Sequence, residues 1–252
     1  MLHSLPPEIF DLITEYLCDY PAALKACCLV SKSWVPRIQK HLFAHIYFGD
    51  GESSVDSWTK AFPDPSNSPA HHTRFIWISD TLSDESTWVR SFCHIEALAI
   101  HAYQLADTID TSLIHLHGLS PTLRSLQLAH HSISEAFDLI YSFPLLEDLT
   151  LRCWPENDAE GDEWVAPSTS PKFTGTLHLV DHVRSIARRL LALPDGPHFT
   201  KIVIQCPGKD AGSTKDLVLR CSDTLESLLV DHTFSSTFPP SPGVCQCLTA
   251  GA

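Results

Sequence analysis

Fifteen histidines and nine cysteines are the side chains of this 252-residue chain that could ligate a metal or act as nucleophiles. The histidines approach one another as His71-His72, His115-x-His117 and His130-His131, yet no cysteine or carboxylate stands beside them at the spacing of a known metal site. Cys245-x-Cys247 supplies two ligands, half of what structural zinc takes. The other cysteines are scattered, and most sit in apolar runs, where a free thiol behaves as a small hydrophobe. There is no Gly-x-Ser-x-Gly, no glycine-rich phosphate loop and no His-Glu-x-x-His, and ten glycines leave few of the tight loops that cofactor folds favour. A Cys/His pair would meet in space rather than in sequence, and nothing in the spacing points to one. The expectation is a protein that is not an enzyme, with no catalytic residue, no metal and no cofactor. One further charged group remains: five carboxylates between Glu156 and Glu163, bracketed by Trp154 and Trp164. They read first as a solvated acidic insertion and second as an arm for a basic client segment.

The composition narrows the choice of partner. Seventeen basic against thirty acidic residues give a net charge of −13, a field that repels phosphate backbones and anionic lipid. Neither nucleic acid nor a membrane is expected. Hydrophobic residues at 44% and charged residues at 19% suit a globular protein with a real core. The first residues lack the basic flank and apolar stretch of a secretory signal, and no run reaches the roughly 18 apolar residues of a membrane span. Asn67-Ser68-Pro69 misses the glycosylation pattern, and the cysteine count is odd. The compartment expected is cytoplasmic or nuclear.

The elements that must position any site begin at once. After Leu5-Pro6-Pro7, the apolar residues Ile9, Leu12, Ile13, Tyr16 and Leu17 recur at helical spacing, with Asp11, Glu15 and Asp19 elsewhere. Proline is cheapest in a helix's first turn, where its missing amide hydrogen is not needed. A second apolar run spans Ala22 to Val30. A third, Lys32 to about Phe48, carries Trp34, Val35, Ile38, Leu42 and Phe43, and Pro36 fits it only in the first turn. Three short helices cannot cover so many apolar side chains among themselves, so the module must dock on something.

Leu5-Pro6-x-Glu8-Ile9, then Ile13 and Leu17, then Leu24, then Cys28-Leu29-Val30-Ser31-Lys32-Ser33-Trp34 resembles the F-box over about residues 4–45. The order and spacing carry the likeness; Ser31, where the family often has Cys, and Pro36 depart from it. The resemblance implies a surface for the Skp-family adaptor of cullin–RING ubiquitin ligases, and through it a cullin. Carried over, Leu5, Pro6, Ile9 and Ile13 would meet the adaptor, with Leu17 on the same helix. Leu24, Cys28, Leu29, Val30 and Trp34 would fill the interhelical core or its rim as part of that adaptor-binding set.

Residues 49–72 are rich in Gly, Ser, Asp and Pro and read as a linker with a short helix around Val55–Phe62. Beyond it, IEALAI (95–100), LRSLQL (123–128), LEDLTL (146–151), FTKIVI (199–204) and LESLLV (225–230) share an apolar-x-x-apolar-x-apolar pattern. TRFIWI (73–78) and TGTLHL (174–179) fit it loosely. From Ile76 the fourth positions fall at Leu98, Leu126, Leu149, Leu177, Ile202 and Leu228, at intervals of 22, 28, 23, 28, 25 and 26 residues. Residues 134–143 and 182–193 have the period of returning helices. The units resemble leucine-rich repeats, irregular because Tyr103, His131, Trp154, His182, Pro207 and Thr233 stand where the regular motif has Asn or Cys. An F-box followed by such units is a combination familiar among fungal proteins.

The expected fold is α + α/β: a three-helix F-box-like module at 4–48, the linker at 49–72, a leucine-rich-repeat-like α/β solenoid at 73–233 and a disordered tail at 234–252. The variable strand positions Arg124, Gln127, Glu147, Thr150, Lys201 and Glu226 would face a client protein. The function expected is substrate recognition for a cullin–RING (SCF-type) ubiquitin ligase. The alternative is a leucine-rich interaction scaffold with no ubiquitin role, its N-terminal helices serving only as a cap.

Overall fold

The computed structural model describes residues 6–49, 54–79, 91–101, 116, 119, 122–130, 133–153, 171–180, 183–205 and 211–231. Leu5, the carboxylates between Glu156 and Glu163, His115, His117, His131, Cys245-x-Cys247 and the 234–252 tail lie outside them. Among the described residues there are seven α-helices and one sheet of eight strands.

Three helices come first: α1 (Pro7–Tyr16), α2 (Pro21–Val30) and α3 (Val35–Leu42). Each has a proline in its first turn, Pro36 included, where the lost amide costs no hydrogen bond. The third helix is shorter than the Lys32–Phe48 run suggested. It stops at Leu42, and His45–Phe48 is the first strand, β1. The boundary expected at 48 therefore moves inward, because Ile46 and Phe48 point into the core of the sheet rather than among the helices.

The strands that follow are β2 (Phe75–Ile78), β3 (Ala97–His101), β4 (Ser125–His130), β5 (Asp148–Cys153), β6 (Thr176–Val180), β7 (Lys201–Gln205) and β8 (Ser227–Asp231). All pair in parallel, and their order across the sheet is their order along the chain. Ile46, Ile76, Leu98, Leu126, Leu149, Leu177, Ile202 and Leu228 form one row, each opposite the next. A second row runs from Phe48 through Ile78, Ile100, Leu128, Leu151, Leu179 and Ile204 to Val230. From Ile46 to Ile204 both rows are buried. Alternate residues face the other side, as strand geometry requires.

Helices α5 (Ile133–Tyr141), α6 (Val183–Leu191) and α7 (Ala211–Arg220) supply the second layer. On α6, Val183, Ile186, Ala187 and Leu190 are buried while Arg184 and Arg188 stay in solvent, the division that a 3.6-residue period dictates. A backbone motif repeats at the strand starts. One carbonyl accepts two successive N–H groups from the next unit: Ala44 from Arg74 and Phe75, Arg74 from Glu96 and Ala97, Glu96 from Arg124 and Ser125, Arg124 from Glu147 and Asp148. Where the unit beginning near 173 departs from the pattern, the Asp148 carboxylate takes the second amide, accepting from the Thr176 N–H at 2.6 Å. In that unit Phe173 fills the apolar slot one residue before Thr174, and its φ of 37° absorbs the extra residue.

Residues 54–72 connect without being a tether. Helix α4 (Val55–Ala61) is capped by Ser54, whose hydroxyl accepts from the Ser57 N–H at 3.3 Å. Val55, Trp58 and Ala70 are buried in the main core. The polar composition that suggested a linker describes the outer side of this segment; its few apolar side chains point inward.

Candidate protein-docking surfaces

The helical module has its own small core. Phe10, Leu24, Ile38 and Leu42 are buried, with Leu17, Cys27, Cys28, Trp34 and Phe43 packed around them. Phe10 and Trp34 meet with ring centroids 4.5 Å apart, and the Arg37 guanidinium lies 5.7 Å over the Phe10 ring. Arg37 also donates to Asp11 at 2.6 Å, tying α3 to α1. Phe43 belongs to both cores, edge-on to Trp58 at 6.0 Å and Phe62 at 6.1 Å, so the module is seated on the main body.

The helix presents its larger apolar stripe outward. Ile9 is 44% exposed, Leu12 62% and Tyr16 80%, while the inward side of α1 is Phe10 and Thr14. Thr14 satisfies its buried hydroxyl within the helix, donating to the Phe10 carbonyl at 3.2 Å and the Asp11 carbonyl at 3.0 Å. At the end of α2, Leu29 is 89% exposed and Val30 69%. Exposed single hydrophobics are ordinary, but this many large ones on two short helices form an apolar patch, the kind of surface at which proteins commonly dock.

The residues expected to bind an adaptor thus divide. Pro6 and Ile9 are exposed, Ile13 and Leu17 half-buried. Cys28 and Trp34 pack on the rim of the helical core. Leu24 is fully buried and cannot touch a partner; its place in the adaptor-binding set is corrected to core. Leu29 and Val30, assigned to the interhelical core or its rim, lie in solvent instead. Leu12, Tyr16 and Tyr20 are additional exposed apolar side chains. The signal for the first two was already present in the helical stripe.

The second surface is the side of the sheet that the helices do not cover. Arg124, Lys201 and Glu226 are exposed there, and Glu147, Gln127 and Thr150 half-buried. Arg124 is ion-paired with Glu147 one strand away, and Arg74 pairs with Glu96 at 3.0 Å. Gln127 Nε2 lies 3.2 Å from His101 Nε2. Two strands nearer the module, Tyr47 and Trp77 lie with ring centroids 6.2 Å apart and Trp77 stacks on His101. Such a face, with both signs of charge, two of its arginines ion-paired and a run of rings beside them, can hold a polypeptide without favouring a polyanion.

The histidine pair at 71 and 72 has ring centroids 3.8 Å apart in a 3-10 turn (Pro69–His72). Burial, then the charges of His71, Lys40 and Arg74, lower the His72 pKa. Among the described residues no three His, Cys, Asp or Glu side chains gather at metal-binding distances. Cys18, Cys27, Cys28, Cys93 and Cys221 are free thiols, and burial raises the pKa of Cys221. Among the described residues no helix is long and apolar enough to cross a membrane.

Two layers, helices over an all-parallel sheet, define a mixed α/β protein. Compared with protein-family models, with curated proteins and with solved structures, the chain finds no match in any of the three.

Proposed function

We propose that this chain is a substrate-recognition subunit of a cullin–RING (SCF-type) ubiquitin ligase. The helical module, read as an F-box, binds a Skp-family adaptor. The sheet, read as the concave side of an irregular leucine-rich solenoid, holds a client protein, and the chain itself does no chemistry. One observation carries the reading: Ile9, Leu12 and Tyr16 turn away from the module's own core, as a helix does when another polypeptide completes its packing. Each such residue contributes roughly 1.5–3 kcal/mol once covered, enough for a tight interface when several act together. The row of paired strands at intervals of 22 to 28 residues supports the repeat reading of the remainder.

The test is co-expression of the chain with a Skp-family adaptor, followed by gel filtration. A stable complex is expected, lost in Ile9→Asp, which leaves the fold intact because Ile9 is exposed. A chain that elutes alone whether or not position 9 is changed overturns the assignment and leaves the interaction scaffold as the reading.

A further inference from the structure

Strand β8 departs from the burial pattern of the other seven. Leu228 and Val230, which occupy the two inner rows, are 47% and 41% exposed, and Leu229 on the opposite face is 55% exposed. On one side β8 pairs with β7; it is the last strand of the sheet, so its other edge is free among the described residues. An exposed, apolar sheet edge is a template for another strand.

The sequence of β8 says which strand fits. The Ser227 N–H bonds to the Thr200 carbonyl in the direction of β7 at 3.1 Å. Backbone groups alternate along a strand, so those of Leu228 and Val230 point to the free edge. Placing a second β8 antiparallel about a two-fold axis at Leu229 sets Leu228 opposite Val230 as the hydrogen-bonded pair. Both copies then satisfy those groups with four bonds. The same register sets Leu229 opposite Leu229 and Ser227 opposite Asp231, so apolar meets apolar and no like charges face. Shifting the axis to Leu228 opposes Glu226 to Val230, and shifting it to Val230 opposes Leu229 to Asp231. Of these three axes only the one at Leu229 sets every apolar residue of the strand opposite another apolar residue, the match that a two-fold interface between identical strands requires.

We infer that the occupant of this edge is a second copy of the chain, joined β8 to β8 in antiparallel register about Leu229. This surface is at the opposite end of the sheet from β1 and the helical module, and the inference does not depend on the ligase reading.

Sedimentation equilibrium on the full chain, from low to high micromolar concentration, tests it. The expected result is reversible association from 28.0 kDa to twice that mass. Leu229→Lys, which sets two ammonium groups against each other across the axis, abolishes it, whereas Ile9→Asp leaves it unchanged. Leu229→Cys supplies an independent readout. A non-hydrogen-bonded antiparallel pair brings Cα atoms to about 4.5 Å, within disulfide range. Because Cys18 and Cys93 are also exposed thiols, the readout is the linkage itself: mild oxidation should join residue 229 to residue 229 in Leu229→Cys, identified by peptide mapping, and should join no 231 to 231 in Asp231→Cys. A chain that stays monomeric throughout overturns the inference, as does a dimer abolished by Ile9→Asp but indifferent to Leu229→Lys.

Discussion

The indole of Trp77 stacks on the imidazole of His101 across adjacent strands, ring centroids 4.5 Å apart and planes 30° from parallel. His101 is 4% exposed. Burial, and after it the charge of Arg152, pushes its pKa down from 6.5 to about 4.

The folded chain therefore takes up a proton at His101 less readily than the unfolded chain does. Stability from this group is complete above pH 6.5, falls as the pH drops from there to about 4, and levels off below. His178, also lowered chiefly by burial, acts in the same sense. Urea midpoints across this range should fall with acidification in the wild-type chain and fall less steeply in His101→Gln. Parallel profiles for the two proteins would refute it.

Leu24 and Leu29 lie five residues apart on one helix and should behave oppositely. Leu24→Ala empties a fully buried site and costs about 2–5 kcal/mol, read as a lowered denaturant midpoint. Leu29→Ala should change stability by no more than about 0.5 kcal/mol, because its side chain is already in water. On the proposed F-box reading its effect is on adaptor affinity, measurable by titration calorimetry.

Trp58 tests whether the connection between module and sheet is structural. Its ring is tilted against Phe92 at 5.6 Å and meets Phe48 edge-on at 6.0 Å. Trp58→Ala should cost about 3–5 kcal/mol in equilibrium unfolding. A flexible tether would lose nothing.

Strand positions were legible because each inner row needs an apolar residue at fixed offsets, and Leu98, Leu126, Leu149, Leu177, Ile202 and Leu228 satisfy that need openly. Strand β1 was hidden because Leu42, Phe43, Ile46 and Phe48 fit a helical period as well as a strand's alternation. Helix α7 went unread because AGSTKDLVLR sets little beyond Leu217 and Val218 toward the core. The inward side of α1, Phe10 with Thr14, carries no legible periodic signal of its own. Pattern reasoning points the widest apolar stripe at a protein's own core, and here the narrower one, Phe10 with Thr14, takes that place. A stripe that waits for another molecule looks the same in sequence as one that packs at home.

The Arg124–Glu147 pair should matter little to folding. Both side chains are substantially solvated, and such pairs contribute roughly 0.2–1 kcal/mol. A double-mutant cycle with Arg124→Ala and Glu147→Ala should give a coupling energy inside that range and shrinking with added salt. A coupling of several kcal/mol would mean that the pair holds the two strands together rather than facing a visitor.

Because chain order and spatial order coincide from β1 to β8, position in the sequence is a linear measure of position in space. Seven interstrand steps of about 4.8 Å amount to about 34 Å measured along the sheet from the first strand to the last. Inserting or deleting one unit would lengthen or shorten that span by a single step without disturbing its neighbours. The molecule is a ruler: any two strands, and the side chains they carry, are held a countable number of steps apart.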